Sequence, residues 1–186
     1  MPKGQEFERQ ICKQFSLWIS EGKRDDVFWR TSGSGARSTS RMKKQISTEN
    51  SAGDIGYIDS IGKPFIDKFL VEIKRGYSSE IELLGSIDGK KEPLLLKWFN
   101  KAEEERKNAG RDFTLLITKR NHKSSCIWFN KATIIFFEDY CGIMKSYKYK
   151  YKYGSIYYPK DGIELYTMLL GDWFSWVSPG MFENEG

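Results

Sequence analysis

The sequence has few of the residues on which several common protein classes depend. Its three cysteines, Cys12, Cys126 and Cys141, form no CxxC pair, which excludes a zinc knuckle and argues against a disulfide framework. His122 is the only histidine and lies in a polar segment, so a catalytic device of the Ser-His-Asp or Cys-His type is not expected. Apolar runs such as 134–137 are too short to span a membrane, and the polar N-terminus does not resemble a signal peptide. By elimination we expect a cytoplasmic protein with reduced thiols and no membrane partner.

The overall composition is that of a folded chain with an excess of positive charge. Its 186 residues suffice for one domain, which we expect to span 1–186, and 39% hydrophobic residues provide material for a core. Thirty Lys and Arg residues against 25 Asp and Glu residues give a formal charge of +5. This charge favours an anionic partner without choosing between nucleic acid, a membrane surface and an acidic protein.

Periodicity in the first half of the chain predicts one helix and three strands. Apolar residues recur at helical spacing over 7–19, and 27–31 is typical of a short strand. The segments 54–59 and 65–74 also have strand character, and the turn-forming residues between them predict a hairpin.

The second half of the chain continues the alternation of helices and strands. A helix is predicted over 94–109 and two strands over 113–118 and 125–129, which makes the order αβββαββ. This order indicates an α/β domain with a mixed central sheet flanked by helices. Three later segments are an apolar stretch of undetermined type, a strand that alternates lysine with mostly tyrosine, and an aromatic helix: 132–137, 145–153 and 162–177.

A long polar segment over 32–52 is the most basic part of the sequence. It has almost no apolar residue, and its four central cations face only Glu49 in opposition: Arg37, Arg41, Lys43 and Lys44. We name these four residues the basic segment. A surface loop of this length is uncommon unless it has a use, so we expect it to contact the phosphates of a polyanion. The alternative is an inert linker whose charges keep it in solution.

Charged residues interrupt the apolar strand at 69–74. Its pleat sends Phe69, Val71 and Ile73 to one face and Glu72 and Lys74 to the other. Each buried charge is costly unless it is paired or binds a ligand, and the simplest alternative is an ordinary salt bridge between the two.

An aspartate and a further glutamate converge on the same strand in the predicted arrangement. Asp54 begins the neighbouring strand after Gly53, so in a hairpin it could meet Glu72 and form an all-oxygen site suited to Mg²⁺. In the first helix, Glu8 falls on the apolar arc whereas Glu6 points to the opposite side. The alternative role for Glu8 is a favourable interaction with the helix dipole.

This combination resembles the PD-(D/E)XK nucleases, and within them the archaeal-type Holliday junction resolvases. The resemblance covers about 3–130, leaves about 131–186 as an extension, and uses KGQEFER at 3–9, WRTSGSG at 29–35, GDI at 53–55 and VEIK at 71–74. Gly53 occupies the position where the nominal motif has proline.

The resemblance implies a restriction-endonuclease-like fold and a metal-dependent DNA endonuclease. The implied catalytic residues are Glu8, Asp54, Glu72 and Lys74, and the implied metal ligands are Asp54, Glu72, Glu8 and the carbonyl of Ile73. The implied cofactor is Mg²⁺, which Mn²⁺ could replace. The implied partner is DNA, which would be branched if the protein is a resolvase. Cutting of two strands implies a homodimer. In addition to the basic segment, the resemblance implies three residues that contact DNA: Arg9, Arg30 and Ser34.

Two other functions remain compatible with the sequence. A site-specific restriction endonuclease would use the same metal site with different recognition loops. A DNA-binding module without turnover would use the basic segment together with Lys148, Lys150 and Lys152 of the lysine-tyrosine strand.

Overall fold

The structure, a computed structural model, describes residues 3–31, 52–77, 93–141, 153–158 and 161–182. Five helices and seven strands lie within these ranges, together with two short 3-10 turns. The helices are α1 (Lys3–Ile19), α2 (Lys63–Lys68), α3 (Leu94–Asn108), α4 (Lys131–Cys141) and α5 (Leu170–Trp176). The strands are β1 (Phe28–Arg30), β2 (Ile55–Tyr57), β3 (Phe69–Tyr77), β4 (Phe113–Arg120), β5 (Ser125–Asn130), β6 (Tyr153–Tyr158) and β7 (Ile163–Leu169).

A five-stranded mixed sheet forms the centre of the fold. Its strand order is β3-β4-β5-β7-β6, in which β3 and β4 are parallel and the other neighbours are antiparallel. β1 and β2 form a separate antiparallel pair. Helices cover both faces of the sheet, so the predicted α/β class with a mixed sheet is confirmed, and the arrangement is consistent with a restriction-endonuclease-like fold.

The larger core lies between the sheet and α1, α4 and α5. Phe15 of α1 is fully buried and packs against Trp173 of α5 with ring centroids 5.6 Å apart. On the opposite face, α3 inserts Leu96 and Phe99 against Leu116 of β4. The predicted amphipathic helices are therefore confirmed, although α1 begins at Lys3, four residues before the predicted start.

The predicted hairpin over 54–74 is wrong. β2 pairs with β1 and not with β3, and the chain between β2 and β3 is helical. Asp59 accepts a hydrogen bond from the Ile61 amide at the start of this stretch, and Pro64 lies in the first turn of α2. Proline favours a helix start because its φ is already helical and it has no N–H to satisfy, so 65–68 belongs to a helix.

The predicted helix over 162–177 is wrong in its first half. Ile163–Leu169 is β7, which is hydrogen-bonded between β5 and β6, and only Leu170–Trp176 is helical. Tyrosine and threonine side chains suit this pleated position, and the neighbouring strands that stabilise it are distant in sequence. The undetermined segment over 132–137 is part of α4. Of the predicted strand at 145–153, the residues before Tyr153 lie outside the described residues.

Candidate active site

β3 carries the first two charged residues of the candidate site. Its alternation is as predicted, since Val71 and Ile73 are buried in the larger core while Glu72 and Lys74 share the other face. Glu72 is only 8% exposed, and its carboxylate forms an ion pair with the Lys74 ammonium. A carboxylate at this depth is stable because the neighbouring cation offsets part of the cost of removing it from water.

Asp54, which directly precedes β2, lies against the edge of β3 that faces away from β4. β2 and β3 nevertheless do not form a hairpin. Its amide donates to the carbonyl of Val71 at 2.8 Å, and its Oδ2 accepts a hydrogen bond from the Ile73 amide at 2.8 Å. The segment before β2 thus runs beside the strand that carries Glu72. Hydrogen bonds between Asp54 and β3 therefore replace the expected strand pairing, and a shared metal site of Asp54 and Glu72 stays a prediction.

Gly53 allows this close approach. Its φ of +73° is in the left-handed region, and a Cβ at this position would lie 2.7 Å from the Val71 carbonyl oxygen. Proline, whose φ is held near −65°, could not adopt this conformation. The glycine at the nominal proline position therefore has a local structural reason.

Two charged residues from α3 and the turn after it hold the segment at 52–54 in place. The Gly53 amide donates to Glu105 Oε1 at 2.9 Å. Arg111, only 6% exposed, donates to the carbonyls of Ala52 at 3.2 Å and Phe69 at 3.1 Å. Burial lowers the pKa of Arg111 to about 10, which leaves it a cation at neutral pH. Sequence reasoning missed both residues because nothing in their local pattern separates them from ordinary surface charges.

The candidate site has an excess of negative charge. Burial and the nearby Glu72 carboxylate raise the pKa of Asp54 to about 7, with a smaller contribution from Glu8. Lys74 and the hydrogen bond from Ile73 oppose this rise but do not cancel it. The charges of Glu72, Lys74 and Glu8 therefore all act on Asp54, and a cation bound beside Asp54 would be stabilised.

Glu8 reaches this region from α1, and its partner there is Arg30 of β1. The two side chains form an ion pair in which the carboxylate is 18% and the guanidinium 21% exposed. Glu6 is exposed, so the predicted difference between the two glutamates is confirmed. Burial, with smaller contributions from the charges of Glu8 and Asp54, raises the pKa of the Cys12 thiol to about 12.

Further cations flank the candidate site. Arg9 is exposed on α1. Arg75 and Lys119, paired in register at the ends of β3 and β4, both lie over the ring of Phe7 at 5.7 and 5.5 Å from its centroid. Sequence reasoning did not select either cation, although Arg75 directly follows Lys74. Ser34, the basic segment and the three lysines at 148, 150 and 152 lie outside the described residues.

The oxygen ligands available here fit a divalent cation that receives only some of its ligands from the protein. Within the described ranges, no cluster of three or more His, Cys, Asp or Glu side chains is arranged to hold a metal ion. Asp54 and Glu72 provide two carboxylates. Mg²⁺ commonly binds to one or two carboxylates and completes its shell with water and substrate phosphate.

Comparison with known proteins identifies the family. Residues 2–183 match the family model described as "Phage putative PDDEXK endonuclease". Because the match covers nearly the whole chain, the chain belongs to this family of PD-(D/E)XK endonucleases. Nucleases of this kind generally use divalent metal ions. No curated protein and no solved structure shows a significant match to the chain.

The matched region includes α4, β6, β7 and α5, so the family extends beyond the 3–130 region on which the sequence resemblance was based. Among the described helices, none is both long enough and apolar enough to cross a membrane.

Proposed function

We propose that the chain is a Mg²⁺-dependent endonuclease that hydrolyses phosphodiester bonds in DNA at the site formed by Asp54, Glu72 and Lys74. The observation that carries the proposal is the position of Asp54 beside β3, where its side chain bonds to the Ile73 amide and its pKa responds to Glu72. Two carboxylates and a lysine beside one strand are the groups that metal-assisted phosphodiester hydrolysis needs.

Asp54, Glu72 and the carbonyl of Ile73 would hold the metal ion. The N–H and C=O of one residue in an extended strand point to the same edge, so the Ile73 carbonyl is expected to face the Asp54 side as its amide does. A bound divalent cation lowers the pKa of a water ligand and neutralises charge that develops on the phosphate.

The ammonium of Lys74 orients the attacking water or stabilises the same developing charge. Its ion pair with Glu72 keeps the ammonium beside one of the carboxylates that would hold the metal ion. Glu8 would hold a second metal ion or that ion's water shell, and Arg30, which forms an ion pair with Glu8, would assist at the phosphate together with Arg9. Mn²⁺ substitutes for Mg²⁺ because both prefer oxygen ligands.

DNA binds across the cationic surroundings of this centre. The basic segment and Ser34 contact DNA phosphates, which positions the duplex without reading its sequence. Cutting of two strands requires two centres, so we propose a homodimer. Branched DNA, including Holliday junctions, is the substrate that the resemblance to resolvases favours, and a restriction-type endonuclease is the alternative.

The decisive experiment compares three proteins on linear and branched DNA, with Mg²⁺ and with EDTA. We expect cleavage by the natural protein in Mg²⁺ only, and its loss in Glu72→Gln. Asp67→Asn is the matched control, because this carboxylate lies on neighbouring α2 and pairs with Lys63. Tight binding without cleavage under any divalent metal would instead identify a binding module, and cleavage retained in Glu72→Gln would remove this site from the reaction.

A further inference from the structure

An open cleft of about 310 Å³ lies between α1 and β1, beside the candidate active site. Its lining includes Arg9, Cys12 and Lys13 from α1, Asp25 from the following loop, and Trp29 and Arg30 from β1. The volume is near the lower end of the range for small-molecule pockets, roughly 300–1,000 Å³. The cleft is therefore large enough for one flat aromatic group and too small for a large ligand.

Trp29 is the unusual residue of this lining. It is 42% exposed, whereas its neighbour Phe28 is 3% exposed and belongs to the larger core. Among the described residues it is the only exposed tryptophan. An indole in this position offers a flat π surface that an aromatic ligand can cover.

The charges around Trp29 favour an anionic ligand. Arg9, Lys13 and Arg30 line the cleft, and Asp25 is its one carboxylate. Lys13 and Asp25 form an ion pair of 2.8 Å with both side chains more than half exposed, so solvent competes with their contact. Cations next to an exposed aromatic ring are the combination that binds the backbone and bases of single-stranded nucleic acid.

The cleft adjoins the candidate active site directly. Arg30 lines the cleft and forms the ion pair with Glu8. Cys12 also lines the cleft, and its thiol lies near enough to Glu8 and Asp54 for their charges to raise its pKa. A nucleotide in the cleft would therefore lie close to a phosphate held at the acidic centre.

We propose that this cleft is a subsite for one unstacked nucleotide of the DNA substrate. Its base stacks on Trp29, and its phosphates contact Arg9 and Lys13. In a duplex both faces of each base are covered by neighbouring bases, so only an unpaired or extruded base can stack on the indole. The inference rests on the proposed function for the identity of the ligand as DNA, and it narrows the substrate to DNA with an unpaired base beside the cut.

The test measures binding in EDTA, where cleavage does not occur. Three fluorescent probes are used: a ten-nucleotide dT oligomer, an oligomer of the same length and charge made of abasic residues, and a blunt ten-base-pair duplex. We expect Trp29→Ala to weaken binding of the dT oligomer by about 5- to 150-fold, the range for loss of one stacked base, and to leave binding of the abasic oligomer unchanged. Trp29→Phe keeps a π surface and should retain most of the affinity.

Two further variants keep this test informative. Trp29→Leu preserves apolar bulk without a π surface, so it should also lose affinity for the dT oligomer and keep its affinity for the abasic oligomer. It replaces Trp29→Ala in the test if the alanine variant folds poorly. Tyr140→Ala removes another exposed aromatic side chain, on α4, and should bind all three probes as the natural protein does. Equal losses for the dT and abasic oligomers, or no loss for either, would overturn the proposal.

The outcome is separable from that of the proposed function. Selective loss of dT binding in Trp29→Ala supports the subsite even if Glu72→Gln still cleaves DNA. Unchanged dT binding in Trp29→Ala rejects the subsite even if cleavage depends on Glu72 and Mg²⁺.

Discussion

Replacing Asp54 with asparagine should stabilise the metal-free protein at alkaline pH. The pKa of Asp54 is raised from 3.8 to about 7 by burial and by the Glu72 charge, so the folded state holds the proton more tightly than the unfolded state. Between these two pH values the folded chain binds more protons, and its stability falls as the pH rises, levelling off above about pH 7. Asparagine removes this penalty because it never ionises.

The expected gain follows from the size of that shift. A difference of about three pKa units corresponds to roughly 4 kcal/mol at pH 8, at about 1.4 kcal/mol per unit. Asparagine can still accept the hydrogen bond from the Ile73 amide through its Oδ1, but it loses the attraction of Lys74. We therefore expect a gain of about 2 to 4 kcal/mol at pH 8 and a smaller gain at pH 5, where the natural side chain is mostly protonated in the folded state.

The assay is urea unfolding of both proteins at pH 5 and pH 8 in EDTA. Asp59→Asn is the matched control because a hydrogen bond from the Ile61 amide and the contact with Arg24 lower the pKa of Asp59. The same substitution there should reduce stability at pH 8, with the opposite sign. A pH-independent difference between Asp54→Asn and the natural protein would refute the reasoning.

Added Mg²⁺ extends the same experiment. It should raise the unfolding free energy of the natural protein at pH 8, since a ligand that binds only the folded state stabilises it. It should not stabilise Asp54→Asn, which lacks one of the two proposed carboxylate ligands. Equal stabilisation of both proteins would place the metal elsewhere.

Three further predictions concern the centre, its support and the surrounding cations. Lys74→Ala should lower kcat by roughly 10²–10³-fold and change DNA affinity in Ca²⁺ little, because the ammonium acts on charge that develops in the transition state. Equal losses of rate and affinity would instead identify Lys74 as a residue that only binds the phosphate. Arg111→Met should cost about 2–4 kcal/mol in urea unfolding, because two buried carbonyls lose their donor, whereas exposed Lys107→Met should cost almost nothing. Replacing the whole basic segment with alanine should flatten the slope of log K against log salt by about 3 to 4, and an unchanged slope would indicate an inert linker.

Local residue patterns were sufficient to predict the elements in which the spacing of apolar residues itself defines the buried face. The helical spacing of Phe7, Ile11 and Phe15 identified α1 and also oriented Glu8 inward, because one helix face carries both kinds of information. The alternation from Val71 to Lys74 in β3 likewise separated Val71 and Ile73 from Glu72 and Lys74 before any tertiary contact was known.

Pairing between distant segments was not readable in the same way. The apolar residues of 65–68 suit a strand as well as a helix. Pro64 in the first turn of α2 favours the helix, and Asp59 caps the 3-10 turn that precedes it. Ile163–Leu169 became a strand because β5 and β6 lie on either side of it. Short apolar segments have no strong preference of their own, so the partners that reach them through the fold determine their conformation.

The same distinction runs through the candidate site. Residue types and local spacing were enough to select Asp54, Glu72 and Lys74, since charges on an apolar strand and a Gly-Asp pair are uncommon without a use. The contact that joins them depends on a glycine with positive φ, a bond from Gly53 to Glu105, and the guanidinium of Arg111. Glu105 and Arg111 lie more than 50 positions along the chain from Gly53, and periodicity within one element contains no information about which distant side chain will satisfy a buried backbone group.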